Sequence, residues 1–322
     1  MEVEVDDDRR DALGRPRAMM FVRDPDAFAA KWKKFSTDGI DKLVVIADFD
    51  FTLTTAFTPT GEITQHSVLS QRSADRERAP SSHGILMRSN ALDPKALAIG
   101  KELFQTYYPI EQSVSLSNAE KLPFLIEWWT KEHDAFVEYK VTKALIRDAV
   151  AASDVRFRDG FFEIFEVLAE QDVPTLIFSA GVYDVIHAVL DKEFAANTPR
   201  ETVPKNVHVV SNMMRFDDDG TVVGFDGKLI HSLNKNASVV TDTPFWKQCQ
   251  LEKRRNILLL GDSLGDADMS NGLDVHDDQI LRVGLLNENV NERLDHYLRR
   301  FDVVLTHDSS LLPVELMLHQ VQ

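Results

Sequence analysis

Cysteine is nearly absent from this chain: 322 residues contain one, Cys249. One thiol excludes an internal disulfide framework and suits a reducing compartment, so Cys249 reads as a small packing residue and the location as cytoplasmic. Long apolar runs are missing as well. None approaches the ~20 residues that a membrane-spanning helix needs, so no membrane partner is expected. The first ten residues turn from acidic to basic without the apolar core of a secretory signal, and residues 1–20 read as a mobile tail. Positive charge is in short supply, with 36 Lys and Arg against 52 Asp and Glu and a formal net charge of −16. That balance lacks the basic face a nucleic-acid partner requires. It also means that an anionic substrate must be met by local cations or a metal, against the field of the whole molecule.

What is present is enough apolar content, 43%, for a full-sized core. Length favours one large domain and a smaller one. Asp24 and Pro25 open a helix over 24–36, with Gly39 beyond its end. Leu43-Val44-Val45-Ile46-Ala47 reads as a buried parallel strand. Residues 58–83 are polar and turn-rich, and the charge run 71–78 within them reads as a solvated loop. From 93 to about 153 the pattern is helical, with Ser117 and Glu120 spaced as a capping box. Strand and helix signals then alternate: a helix over 161–169, strands at 173–178 and 207–210, a helix over 182–190, a hairpin through 216–225, and strands at 256–260, 280–283 and 303–305. Alternation of this kind predicts an α/β fold, a parallel sheet between layers of helices.

Four places on this scaffold carry chemistry. In Asp48-Phe49-Asp50-Phe51-Thr52 two carboxylates leave a strand end on the same side, at the sheet edge where open α/β proteins bind ligands. Such a pair repels itself unless a cation intervenes or one member is protonated. One carboxylate can attack a phosphoryl group while the other moves protons. Phe178-Ser179-Ala180-Gly181 follows a second strand and offers a hydroxyl and backbone N–H groups to an anion at the start of a helix; ordinary capping by Ser179 is the plain alternative. Lys235 lies in a polar turn and can act as a point charge. Leu260-Gly261-Asp262-Ser263-Leu264-Gly265-Asp266 again crowds acid at a strand end, as Mg²⁺ sites do, without the spacing of an EF-hand.

In this chain order, these four segments resemble the four motifs of haloacid-dehalogenase (HAD) phosphatases. Together with Val209-Val210-Ser211-Asn212, Gly227-Lys228-Leu229-Ile230-His231, Tyr107-Tyr108-Pro109-Ile110-Glu111 and Glu127-Trp128-Trp129-Thr130-Lys131, they resemble the cytosolic 5′-nucleotidase III family over roughly residues 24–320. The resemblance implies a Rossmann-like three-layer core at 21–57 and 154–322, with an inserted helical-bundle cap over 58–153. It implies Mg²⁺-dependent hydrolysis of CMP, UMP or 7-methylguanosine monophosphate through an aspartyl-phosphate. Asp48 would be the nucleophile and Asp50 the acid/base. Asp48, the backbone carbonyl of Asp50 and Asp262 would hold Mg²⁺, with Asp266 behind them. Ser179, Ala180 and Lys235 would hold the phosphate, and Glu111 would contact the base. Trp128 or Trp129 could stack on a cationic ring; adjacent on a helix, they should face different ways, so at most one reaches the ligand. A small-molecule nucleotide and a monomer are the expected partner and state.

The sequence departs from the family pattern at Glu132, where a serine is common, and at Asn236-Ala237-Ser238, where His-Asp-Gly often stands. Two other readings remain: a HAD phosphatase for a different small phosphomonoester, and a catalytically silent nucleotide-binding protein.

Overall fold

Leu43–Ala47 form strand β2 with all five residues buried. Their side chains alternate between two separate apolar clusters: Leu43, Val45 and Ala47 join one, Val44 and Ile46 the other. A strand covered on both faces is the middle of three layers. The structure, a computed structural model, describes residues 18–58, 77–113, 115–241, 243, 245 and 253–321. Its strands are β1 (Met20–Val22), β2, β3 (Thr175–Val182), β4 (Val207–Phe216), β5 (Val222–Asp226), β6 (Asn256–Gly261), β7 (Ile280–Leu286) and β8 (Val303–Thr306). They form one eight-stranded sheet in the order β1-β8-β7-β6-β2-β3-β4-β5. The pairings from β4 through β8 by way of β2 are parallel, and β1 and β5 are antiparallel edges.

On one face lie α1 (Pro25–Asp38), α6 (Phe161–Glu170), α7 (Tyr183–Asn197) and the helix Leu312–His319; on the other lies the helix Val290–Leu298. Asp24 caps α1 by accepting from the Asp26 and Ala27 N–H groups. Between β2 and β3 the chain inserts α2 (Ser82–Met87), α3 (Pro94–Gln112), α4 (Asn118–Glu138) and α5 (Lys143–Ala152). The capping box of Ser117 and Glu120 starts α4 as expected. Leu103 and Tyr107 of α3 meet Leu125 and Trp128 of α4 in a third, smaller cluster. Burial of each such side chain stabilises by about 1.5–3 kcal/mol.

The structure corrects the sequence reading at several points. β3 runs on to Val182, so Ser179, Ala180 and Gly181 belong to a strand end; α7 begins at Tyr183 and Ser179 does not cap it. β4 extends to Phe216 and serves both the parallel sheet and the hairpin with β5. Residues 1–17 of the expected tail lie outside the described residues, whereas Met20 opens β1 and the Met19 carbonyl accepts from the Thr306 N–H at 2.9 Å. Residues 59–76 of the expected loop also lie outside, as does Cys249. The end of the charge run is not simply solvated. Thr58 and Glu77 are joined by a backbone hydrogen bond of 2.9 Å, and Arg78 pairs with Glu288 over the Phe51 ring.

Candidate active site

Strand register brings three of the four chemical segments to one edge. Ala47 of β2 is level with Ile177 of β3 and Leu260 of β6. Asp48 lies one residue beyond, Ser179 and Asp262 two beyond their own reference residues, all at the carboxyl ends of parallel strands. β2 lies between β3 and β6, the point at which strand order reverses and ligands bind. The fourth segment arrives from the far side of the β4–β5 hairpin. Asn234 shapes its turn, accepting from the His231 N–H at 2.8 Å and donating to the Leu229 carbonyl at 2.7 Å. Lys235 then reaches Asp48 Oδ1 and Asp266 Oδ1, each at 2.6 Å.

Asp48, Lys235 and Asp266 are all buried. Burial works against the Lys235 ammonium, but the Asp266 and Asp48 carboxylates outweigh it and raise its pKa. Burial pushes the Asp48 carboxyl up to about 7, against the pull of Lys235. It drives Asp262 well above the usual carboxylate range too, and the charges of Asp48 and Asp266 add to the effect. Carboxylate oxygens of Asp48, Asp262 and Asp266 lie within 4.8 Å of one another. Ionised, they carry three negative charges against the one positive charge of Lys235, leaving −2. The site therefore fits a hard divalent cation with oxygen ligands. Asp266 is further fixed by the Ser263 N–H and hydroxyl, both donating to Oδ2 at 2.8 Å. This turn needs Gly261: a Cβ there would stand 2.2 Å from Cβ of Asp266.

Several positioning residues were not visible in sequence. The Arg158 guanidinium is buried and donates to the carbonyls of Thr52 (2.8 Å), Phe51 (2.6 Å) and Ser309 (2.5 Å), besides its ion pair with Asp308 at 3.0 Å. It holds the loop after Asp50, in which Phe51 has a positive φ of 62°. Asn212 joins two segments, donating to the Ala180 carbonyl at 2.7 Å and exchanging bonds of 2.9 Å with the Ile230 backbone. Ser179 is buried, and its hydroxyl accepts from the Gly181 N–H at 3.0 Å. The Asp50 carboxyl is raised by burial, opposed by two bonds from Ser82: its N–H donates to Oδ1 at 2.5 Å and its hydroxyl to Oδ2 at 2.6 Å.

The helices after β2 add a second group. Glu111 of α3 accepts from the Ser232 hydroxyl at 2.7 Å, which places it beside the turn that carries Lys235. Burial raises its pKa, and Ser232 partly offsets this. Trp128 is buried, stacks on Tyr107 and donates its indole N–H to Glu132 at 2.6 Å. Trp129 is half-buried, and its indole nitrogen has no partner among the described residues. The two indoles do not diverge as expected: their rings lie 6.0 Å apart at 23°. Glu132, at the departure from the family pattern, is buried with its Oε2 2.5 Å from His83 Nε2, a close contact without hydrogen-bond alignment.

The sheet, with its paired aspartates, lysine and acidic turn at the same edge, has the arrangement of a phosphohydrolase. Comparison with known proteins narrows this. The profile of the family described as Pyrimidine 5′-nucleotidase (UMPH-1) matches residues 67–322. A 7-methylguanosine phosphate-specific 5′-nucleotidase A from Xenopus laevis is 36% identical over 303 residues, covering 94% of this chain and 95% of the relative. The 7-methylguanosine phosphate-specific 5′-nucleotidase of Homo sapiens is 33% identical over 305 residues, covering 95% and 93%. A crystal structure of cytosolic 5′-nucleotidase IIIB bound to cytidine superposes with a TM-score of 0.76 at 29% identity, covering 94% of this chain and 93% of that one. The chain belongs to the pyrimidine 5′-nucleotidase (UMPH-1) family and is a 5′-nucleotidase, a phosphoric monoester hydrolase.

Proposed function

We propose that the protein hydrolyses CMP, UMP or 7-methylguanosine monophosphate to nucleoside and phosphate, with Asp48 as nucleophile and Mg²⁺ as cofactor. The observation that carries this is the cluster of Asp48, Lys235, Asp262 and Asp266 beyond the ends of β2 and β6, all buried except the half-buried Asp262. Asp48 attacks phosphorus; its Oδ–P bond forms as the P–O5′ bond breaks. Asp50 gives the departing O5′ a proton, and the nucleoside leaves. Asp50, now a carboxylate, takes a proton from water, whose oxygen attacks phosphorus and returns Asp48 free. Lys235, Ser179 and the backbone at Ala180 bind phosphoryl oxygens and hold them in line. Asp48, the Asp50 carbonyl and Asp262 would hold Mg²⁺, with Asp266 behind, and the ion would supply Lewis-acid stabilisation of phosphoryl charge.

In this reading residues 58–153 form a helical cap over the core. Glu111 contacts the base, and its raised pKa suits a group that is desolvated where a ring amino group would sit. Trp129, with its unpartnered indole nitrogen, is the better placed of the two tryptophans to meet a ligand, because Trp128 is already committed to Tyr107 and Glu132. The protein acts as a cytoplasmic monomer on a small molecule. The single cysteine and a Caenorhabditis elegans relative named putative cytosolic 5′-nucleotidase 3 (36% identical, covering 91% of this chain and 72% of the relative) support the location, and no described helix is long and apolar enough to cross a membrane.

The test is phosphate release from a panel of nucleoside monophosphates, including the 7-methylated guanine form, with Mg²⁺ and with chelator. Release from one of the three named nucleotides, dependent on Mg²⁺ and lost by about 10⁴-fold in Asp48→Asn, is the expected result. Equal rates on all small phosphomonoesters, or nucleotide binding without release, would overturn it.

A further inference from the structure

We propose that Ser82 is the positioning residue for Asp50, fixing the plane of its carboxyl so that one oxygen faces the departing O5′. The proposal rests on the reading of Asp50 as the acid/base group.

Both Asp50 oxygens are engaged by this one residue, Oδ1 by the Ser82 N–H at 2.5 Å and Oδ2 by the Ser82 hydroxyl at 2.6 Å. Two donors from a single residue to both oxygens remove the rotation about the Cβ–Cγ bond that a lone contact would leave. Ser82 is itself 1% exposed, so the donor side of these bonds is shielded from water, while Asp50 is half-buried. Space for the hydroxyl is provided by the segment after Phe178. A Cβ at Gly181 would lie 2.0 Å from Ser82 Oγ and 3.1 Å from Asp50 Oδ2. Gly181 is therefore glycine because the serine and the carboxyl pack against its bare Cα. The next residue, His83, is held from the other side by the Glu132 carboxylate at 2.5 Å and by the Phe136 ring at 5.2 Å. α2 is thus clamped between the sheet edge and α4, and Ser82 is set by that clamp rather than by a flexible side chain.

A group that orients the proton donor matters only when the leaving oxygen needs a proton. The deciding experiment compares two substrates of the full-length protein that share base and ribose: the best nucleoside monophosphate of the panel, and its analogue with sulfur in place of the bridging 5′ oxygen. Thiolate departs without protonation. In Ser82→Ala, kcat/KM for the oxygen ester is expected to fall about 10–100-fold, and for the sulfur ester less than about 3-fold. The ratio of the two constants cancels any loss of folded protein. Asp50→Asn, measured in parallel, is expected to show a larger split in the same sense. Equal losses on both esters in Ser82→Ala, or no loss on either, would overturn the role of Ser82. If Asp50→Asn splits the two esters and Ser82→Ala does not, only this inference falls; if Asp50→Asn shows no split, the reading of Asp50 falls with it.

Discussion

Two carboxylates converge on the buried Lys235, each at 2.6 Å, with no room for water between them. Its removal leaves Asp48 and Asp266 facing each other in a buried site. Lys235→Ala is expected to lower stability by about 3–5 kcal/mol, read from the denaturant midpoint. Turnover should fall by about 10²–10³-fold, because a phosphoryl oxygen loses its cationic partner. Glu111 makes a different kind of contact, a single bond to Ser232 at the rim of the cluster. Glu111→Ala should change the preference between CMP and GMP while sparing hydrolysis of a small ester; an unaltered preference would remove it from base recognition. Asp48 and Asp262 were legible in sequence because each follows a strong strand signal, whereas Lys235, a weak signal alone since most lysines are simply exposed, was legible only through the chain order of the four segments. Ser82, Asn212 and Arg158 were not. Their roles arise from approaches of 32 to 151 residues in sequence separation; Asn212 stood in a segment that resembles the family but with no role attached, and nothing local distinguished Ser82 or Arg158 from an ordinary cap or surface residue.

Among the elements, β2 and β6 were readable because β2 is apolar throughout and β6 is apolar after Asn256, and their register sets the site. β1 was not, since three residues make no period and an edge strand is fixed by its partner β8. β3 was read short because Ser179-Ala180-Gly181 looks like a turn, although the chain stays extended there through a register shift between Phe178 and Val182. The loop after β2 depends on a distant cation. Arg158 satisfies the carbonyls of Phe51 and Thr52, and its ion pair partner Asp308 is nearly buried. Arg158→Ala should cost about 3–5 kcal/mol by taking the cation from that carboxylate, which would keep only the Ala56 and Phe57 N–H groups. It should also loosen the segment that carries Asp50, so kcat is expected to fall with little change in KM. An unchanged melting midpoint would contradict the first expectation.

At the level of the whole molecule, acid dominates outside and inside, and the interior acid is costly without a counter-ion. Burial pushes the Asp48 carboxyl up to about 7 in the folded protein, from an ordinary 3.8. Between those values the folded state binds more protons than the unfolded chain, so metal-free stability falls as pH rises through this window. Burial of Asp262 works in the same direction. A divalent ion that binds the ionised carboxylates opposes the loss. The rise in melting midpoint on adding Mg²⁺ should therefore grow from pH 5 to pH 8, and Asp48→Asn should flatten that growth; an equal rise at both pH values would count against the cluster as the binding site.

The contact between Asp48 and Lys235 spans 187 residues of chain. At the roughly 5–20 residues per second of protein synthesis, the aspartate is added to the chain about 10–40 s before the lysine. Through that interval β2 also lacks β6, its partner on one side. The nascent protein must carry an unfinished sheet, open along its central strand, until its last third is made.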